Sequence, residues 1–171
     1  MSKMKMAWRA AALSMLVLGA CAHGAASDSA STDSGQETMV ARVYFLSEPN
    51  MARGIDPLLL SVERVVSKVT PARGVLDAMF RGPTDAERAQ GLTFVSSGVT
   101  GFHKLRIENG VAHVHLKGHC NSGGATVTIA NLINATLKQF PSVLHVRIYD
   151  SKGHTQQPNG PGDSIPTCLE P

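Results

Sequence analysis

Apolar and polar positions along the chain form short strand-like runs and two patterns with helical spacing. The two helical patterns cover residues 71–81 and 125–140. Runs rich in β-branched and aromatic residues predict strands at residues 40–46, 58–69, 102–107, 111–117 and 143–149. The order strand, strand, helix, hairpin, helix, strand predicts an α+β fold, with two helices packed on one face of a small mixed β-sheet.

Short motifs mark where these elements begin and turn. Thr84 and Glu87 have the spacing of a capping box, which predicts a short additional helix after the first long one. Asn109-Gly110 separates two strand patterns and is typical of a tight hairpin. A glycine-rich segment precedes the second long helix, for which Ser122 or Thr126 is the expected N-cap.

The first 39 residues show neither pattern. Residues 1–20 combine a basic start with an apolar run at 10–18, which is too short to span a bilayer and is typical of an export signal. Leu18-Gly19-Ala20-Cys21 resembles a bacterial lipobox, which predicts lipidation of Cys21; the alternative is an ordinary signal peptide with a cysteine after alanine. Residues 22–39 are rich in Ala, Ser, Asp and Gly and predict a disordered tether behind the lipidated cysteine.

Charge and composition narrow the functional classes. The 171 residues allow one domain of ordinary size, and 43% hydrophobic residues exclude full disorder. The net charge of +3 comes from Lys3, Lys5 and Arg9 in the predicted leader, so residues 21–171 carry equal numbers of acidic and basic residues. With aromatics at only 5%, we predict no nucleic-acid partner.

The three cysteines suggest one lipid anchor and one disulfide. If Cys21 is lipidated, Cys120 and Cys168 remain, and export places them in an oxidising compartment where such a pair forms a disulfide. In the chain-entropy model this bridge stabilises the fold by about 4 kcal/mol. The alternative is a nucleophilic Cys120 assisted by the adjacent His119.

Four histidines, His103, His113, His115 and His119, form the candidate chemical set. His113 and His115 are two residues apart on a predicted strand and share a face, where two neutral imidazoles can bind zinc or copper. The alternative is a solvated strand face that uses histidine as a polar residue. No carboxylate completes the set and Cys120 is assigned to a disulfide. We therefore predict no metal, no cofactor and no catalytic residue. The candidate ligands for the alternative, a bound metal, are His113, His115 and His119.

Several segments together resemble the GerMN (sporulation and spore germination) domain. They are Val43-Tyr44-Phe45-Leu46 and residues 81–92, 108–114 and 138–143. The resemblance covers roughly residues 40–150, and its most specific part is the Gly-Pro-Thr-x-x-Glu-x-x-x-Gly-Leu segment within residues 81–92. It implies an extracytoplasmic α/β domain, often found on lipoproteins and similar to ring-building modules of secretion-like assemblies. The family has no established catalytic residues, so none is transferred.

The sequence departs from that pattern at Cys120 and in its Pro/Gly-rich end. We predict a signal peptide at 1–20, a lipidated cysteine and tether at 21–39, a GerMN-like domain at 40–150, and an irregular extension at 151–171 held mainly by Cys168.

These features predict a lipid-anchored envelope protein facing the periplasm or the cell exterior. In a Gram-negative cell we expect the outer membrane, since Ala22 stands where an inner-membrane protein has Asp. The expected partner is an envelope protein or peptidoglycan. Two alternatives remain: a metal-dependent or small-ligand-binding envelope protein, including an enzyme, that uses the histidines, and a ligand-binding module with a pocket between sheet and tail.

Overall fold

Residues 37–171 are described by a computed structural model. The predicted signal peptide, Cys21 and most of the predicted tether lie outside the described residues. No helix in residues 37–171 is long and apolar enough to cross a membrane. The α+β class predicted from the sequence is confirmed.

Residues 37–171 form six strands and four helices. The strands are β1 Thr38–Ser47, β2 Leu59–Ser67, β3 Leu92–Thr93, β4 Val99–Glu108, β5 Val111–Gly118 and β6 His145–Tyr149. The helices are α1 Glu48–Arg53, α2 Pro71–Arg81, α3 Asp85–Ala89 and α4 Ile129–Leu137, and a 3-10 turn covers Thr167–Leu169.

The strands form two three-stranded sheets rather than the one small mixed sheet expected. Their orders are β2-β1-β3 and β4-β5-β6, and the second sheet is mixed because β6 runs parallel to β5. In a single sheet, both backbone edges of β1 would pair with strands along their length. Here side chains of α4 and of the residues after it bond to one of these edges. The Arg42 amide donates to Gln139 Oε1 at 2.8 Å, and the Tyr44 amide donates to Thr136 Oγ1 at 3.2 Å.

Both long helices contribute to one hydrophobic core. The apolar face predicted for α2 is buried at Val75, Leu76 and Met79, and it packs with α4 and β1. From α4, Ile129, Ile133 and Leu137 are fully buried as predicted. Because α4 also packs against β6, it joins the inner sides of the two sheets.

Helix α4 is shorter than the 125–140 pattern predicted, and the expected N-cap is wrong. Thr128 occupies the N-cap, and its amide donates to Asn131 Oδ1 at 2.8 Å. Ser122 instead forms a local turn, in which its hydroxyl accepts a hydrogen bond from the Gly124 amide. Left-handed backbone at Gly123 and Gly124 delays the start of the helix.

Helix α1 was not predicted, although its signals are local. Ser47 caps it by accepting the Asn50 amide at 3.3 Å, and Pro49 lies in the first turn. Gly54, with φ of +63°, ends the helix after only six residues. Helix α1 begins directly after β1, and the strong strand pattern of β1 dominated the prediction for this part of the chain.

The C-terminal extension is irregular but is held by more than Cys168. Ser164 pairs with β6: its carbonyl accepts the Ile148 amide at 2.8 Å and its amide donates to the Val146 carbonyl at 3.0 Å. Leu169 is buried in the core. The expectation that Cys168 mainly holds the tail is therefore corrected, since backbone pairing and one buried leucine share this role.

Candidate functional site

The second sheet carries polar and cationic side chains on the side opposite its core. Register across the strands pairs Lys104 with His115, Arg106 with His113, His113 with Arg147 and His115 with Tyr149. Paired residues of neighbouring strands point to the same side of a sheet. We call this surface the histidine face and define it by Lys104, Arg106, His113, His115, Arg147 and Tyr149, with His103 beside it.

The rings of this face contact one another. His115 stacks on Tyr149 with centroids 4.4 Å apart, and His103 lies 5.6 Å from His115. His113 also stacks on Tyr149, and its Nδ1 lies 2.9 Å from the tyrosine hydroxyl. Tyr149 is nearly buried whereas the two strand histidines are half-buried, so the tyrosine orients imidazoles that solvent can reach.

The electrostatics of the face favour neutral imidazoles among fixed cations. Partial burial lowers the pKa of His113, and the charge of Arg147 lowers it further. Burial likewise lowers the pKa of His115, with Lys104 as the next cause. Both imidazoles are therefore neutral at neutral pH, and each can donate and accept hydrogen bonds beside the cations.

The exposed cations of the face outnumber its acids. Glu108 lies at the same side of β4 and is ion-paired with Arg106. Lys104 is exposed and makes no ion pair with any residue the structure describes. The arrangement is suited to holding an anionic group by charge and by hydrogen bonds from imidazole and guanidinium.

The C-terminal extension borders the face along β6. The Arg147 guanidinium donates to the carbonyl of Pro158 at 2.7 Å and also to the carbonyl of Gly160. Asp163 accepts the Val146 amide at 2.9 Å, which fixes the same segment to the outer edge of β6. The extension therefore restricts access from this side and leaves the β4 side of the face open.

The structure brings together three of the four predicted histidines. His103, His113 and His115 belong to the contacting ring cluster, whereas His119 lies on the loop beyond β5. The carbonyl of His119 is so close to Gly98 that a Cβ there would meet it at 2.2 Å, which fixes the loop by its backbone. Within residues 37–171, no group of three or more His, Cys, Asp or Glu side chains could hold a metal ion.

Cys120 and Cys168 form a disulfide, with Cα atoms 5.6 Å apart. A disulfide sulfur has no thiolate to act as a nucleophile, so the alternative of a His119-assisted Cys120 nucleophile does not apply to this state. The bridge joins the loop after β5 to the C-terminal 3-10 turn. The Ser122 amide donates to the Cys168 carbonyl at 2.7 Å in the same region.

The segment most typical of the family resemblance has a structural role. Arg64 Nη1 and Nη2 donate hydrogen bonds to Glu87 Oε1 and Oε2 at 2.7 and 2.6 Å. These bonds connect α3 to β2. The same carboxylate accepts the Thr84 amide at 2.8 Å and completes the predicted capping box. The hydrogen bonds from Arg64 lower the pKa of Glu87 to about 2. This carboxylate is fully engaged in holding the fold.

Several residues of the face were not predicted from the sequence. The alternation along β5 identified His113 and His115, but Lys104, Arg106 and Arg147 join them only through the register of three strands. The Asn109-Gly110 turn fixes how β4 pairs with β5 and was the available signal for the β4 residues. No local sequence signal predicts that β6 pairs in parallel with β5.

A comparison with family models agrees with the resemblance. The family model Germane, described as sporulation and spore germination, matches residues 42–156. Among solved structures, the tandem GerMN domains of the sporulation protein GerM from Bacillus subtilis match with a TM-score of 0.45 and 18% identity. That match covers 68% of this chain but only 43% of the other chain, so it spans less than half of that protein's length. No curated protein matches the chain.

Proposed function

The chain belongs to the sporulation and spore germination family Germane, and from that premise we propose that it is a non-catalytic binding module of the cell envelope. We propose further that it is exported and lipidated at Cys21, with residues 22–36 leading from the anchor to the domain. It would face the periplasm or the cell exterior, and in a Gram-negative cell it would sit at the outer membrane. The family is not a known enzyme family.

One observation carries the proposed binding role, namely the composition of the histidine face. The second sheet packs its inner side on α4. Within residues 37–171 its other side presents Lys104, Arg106 and the imidazoles of His113 and His115. Cations and neutral imidazoles recognise carboxylates by charge-assisted hydrogen bonds. Peptidoglycan has this chemistry because its stem peptides carry carboxylates, and we propose it as the ligand of the face.

We expect the double variant Lys104→Gln/Arg106→Gln to lose at least tenfold in affinity for peptidoglycan. Both side chains are exposed, so their neutralisation removes charge without opening the core. The measurement is co-sedimentation of the purified full-length protein with peptidoglycan sacculi at low and at high salt. Arg53→Gln/Lys68→Gln removes the same charge from exposed positions elsewhere and serves as the matched control.

If Lys104→Gln/Arg106→Gln binds sacculi as tightly as wild type, the histidine face is not the binding surface. Equal loss in both double variants would mean that sacculi respond only to overall charge. If wild-type protein does not bind sacculi at all but crosslinks in cells to a defined envelope protein, a protein partner replaces peptidoglycan.

The proposed anchor has its own test. Cys21→Ser should leave an unprocessed precursor that incorporates no labelled palmitate, because no thiol remains to accept the lipid. Cys120→Ser/Cys168→Ser is the control and should label normally. Palmitate labelling of Cys21→Ser would refute lipidation at this cysteine.

A further inference from the structure

Two depressions of about 320 and 290 Å3 lie at the two ends of α2, and residues of α2 and β4 line both. We call the surface between α2 and β4 that includes both depressions the groove. The larger one is apolar and lies at the start of α2, where Val69, Pro71, Leu105, Ile107 and Phe140 line it. The smaller one lies at the end of α2 and is lined by Phe80, Phe102, Asp77, Arg81 and Lys117. Neither depression lies between sheet and tail, where the sequence had suggested a pocket.

The larger depression and the histidine face lie on opposite sides of the second sheet. Leu105 and Ile107 alternate along β4 with Lys104 and Arg106, and successive side chains of a strand point to opposite faces. A side chain in the larger depression would therefore not touch Lys104 or Arg106. Lys117 of the smaller depression follows His115 by two positions on β5 and lies on the same side of the sheet as that histidine. The two surfaces can be tested separately.

Strand β4 forms the edge of its sheet beside this groove. Among the described residues its strand partner is β5, and the order β4-β5-β6 leaves the other backbone edge of β4 without a strand. An open edge presents unpaired N–H and C=O groups to which an extended peptide can add as a further strand. The register shifts between Val99 and Lys104 confine regular pairing to the half of β4 that carries Leu105 and Ile107.

The charges of the smaller depression are not balanced within the domain. Asp77 is ion-paired with Arg73 at 3.7 Å, and the Arg73 guanidinium lies 5.2 Å from the ring centroid of Phe102. Arg81 and Lys117 both line the depression, and neither makes an ion pair with a residue that the structure describes. Two cations without acidic partners above an aromatic floor complement a carboxylate on an apolar group.

We propose that this groove binds the C-terminal end of an extended peptide. The peptide backbone adds to the free edge of β4, and an apolar side chain fills the depression formed by Val69, Leu105 and Phe140. The terminal carboxylate lies between Arg81 and Lys117. The occupant is thus a protein tail with apolar residues and a free carboxylate, which goes beyond the peptidoglycan proposal because it uses a different surface and a different ligand.

The test compares one peptide with two C-terminal groups. A fluorescein-labelled Val-Lys-Val-Leu peptide with a free carboxylate should bind the full-length protein at least tenfold more tightly than its C-terminal amide, measured by anisotropy. Arg81→Gln/Lys117→Gln should reduce this preference to less than twofold. Arg88→Gln, an exposed arginine on α3, is the control and should keep it. Val69→Asp should weaken both peptides, because it places a charge in the apolar depression, and Val69 is exposed enough to be replaced without unfolding.

A second readout addresses the backbone. Amides of β4 that face the groove should exchange more slowly with solvent when the free-acid peptide is bound, because strand addition gives them acceptors. Equal affinity for acid and amide, or an unchanged preference in Arg81→Gln/Lys117→Gln, would overturn the proposal. So would peptide binding without protection of β4, or binding of acetate alone with no binding of the peptide.

Two further results separate this site from others. Self-association of the protein that Arg81→Gln/Lys117→Gln abolishes, without peptide binding, would make a second copy the occupant and refute the peptide site. Lys104→Gln/Arg106→Gln should bind the peptide normally. Loss of peptide binding in that variant would contradict the separation of groove and histidine face. If the protein fails to bind sacculi but binds the peptide as described, the peptidoglycan proposal is refuted and the groove proposal stands.

Discussion

Cys120→Ser/Cys168→Ser is expected to lower the free energy of unfolding by about 4 kcal/mol, the entropy that closing a loop of this length removes from the unfolded chain. For a domain of this size the melting temperature should fall by roughly 10–15 °C. Thermal and urea unfolding of the full chain measure both quantities. Reductant should bring wild-type protein to the stability of the variant and should leave the variant unchanged.

The loss should begin at the C-terminal extension. Without the bridge, Leu169 and the pairing of Ser164 with β6 are held only by local contacts, so the extension can open separately from the core. The Ile148 amide, which donates to the Ser164 carbonyl, should then exchange faster in the variant. A variant within 1 kcal/mol of wild type, with Ile148 still protected, would show that backbone pairing and Leu169 suffice without the disulfide.

Local sequence signals predicted the helices and hairpin best. The predicted helical pattern over 71–81 matches the observed bounds of α2, which Thr70 and Gly82 flank. The Thr84-to-Glu87 spacing forms the capping box that the structure shows. Each of these signals joins residues a few positions apart in the chain. The start of α4 was wrong because the glycines after Ser122 hold a local turn, which apolar periodicity does not report.

Contacts between distant residues explain what the sequence could not predict. The division into two sheets depends on Gln139 and Thr136 bonding to β1, more than 90 positions earlier in the chain. Periodicity determines which side of a strand is buried, but it does not say which strand lies beside it. The histidine face was accordingly predicted for β5 alone. The groove was not predicted, because it needs the placement of α2 against β4.

Glu87→Gln is expected to cost about 3 kcal/mol at pH 7, since each pKa unit corresponds to about 1.4 kcal/mol. The hydrogen bonds from Arg64 lower the pKa of Glu87 from 4.5 to about 2. The Glu87 side chain is 15% exposed. A carboxyl whose pKa is lowered on folding stabilises the protein fully above its unfolded pKa. That stability is lost as the pH falls from about 5 toward 2.

The measurement is the unfolding free energy of both proteins from pH 2 to pH 8. Because other carboxyls titrate in the same range, the informative quantity is the difference between the wild-type and Glu87→Gln curves. This difference should be constant above pH 5 and should shrink steadily toward pH 2. Asp85→Asn, at a fully exposed position in the same turn of α3, is the matched control and should change stability by less than about 0.5 kcal/mol.

The double variant Arg64→Gln/Glu87→Gln separates two causes of destabilisation. One is the loss of the attraction between Arg64 and Glu87, and the other is a buried Arg64 charge left without its partner. Glu87→Gln leaves the Arg64 guanidinium largely buried without its anion, which is more costly than removing both charges together. The double variant should therefore be more stable than the sum of the two single changes allows. A pH-independent difference between wild type and Glu87→Gln, with additive single variants, would assign the stability of this motif to the neutral hydrogen bonds of the capping box instead of the ion pair.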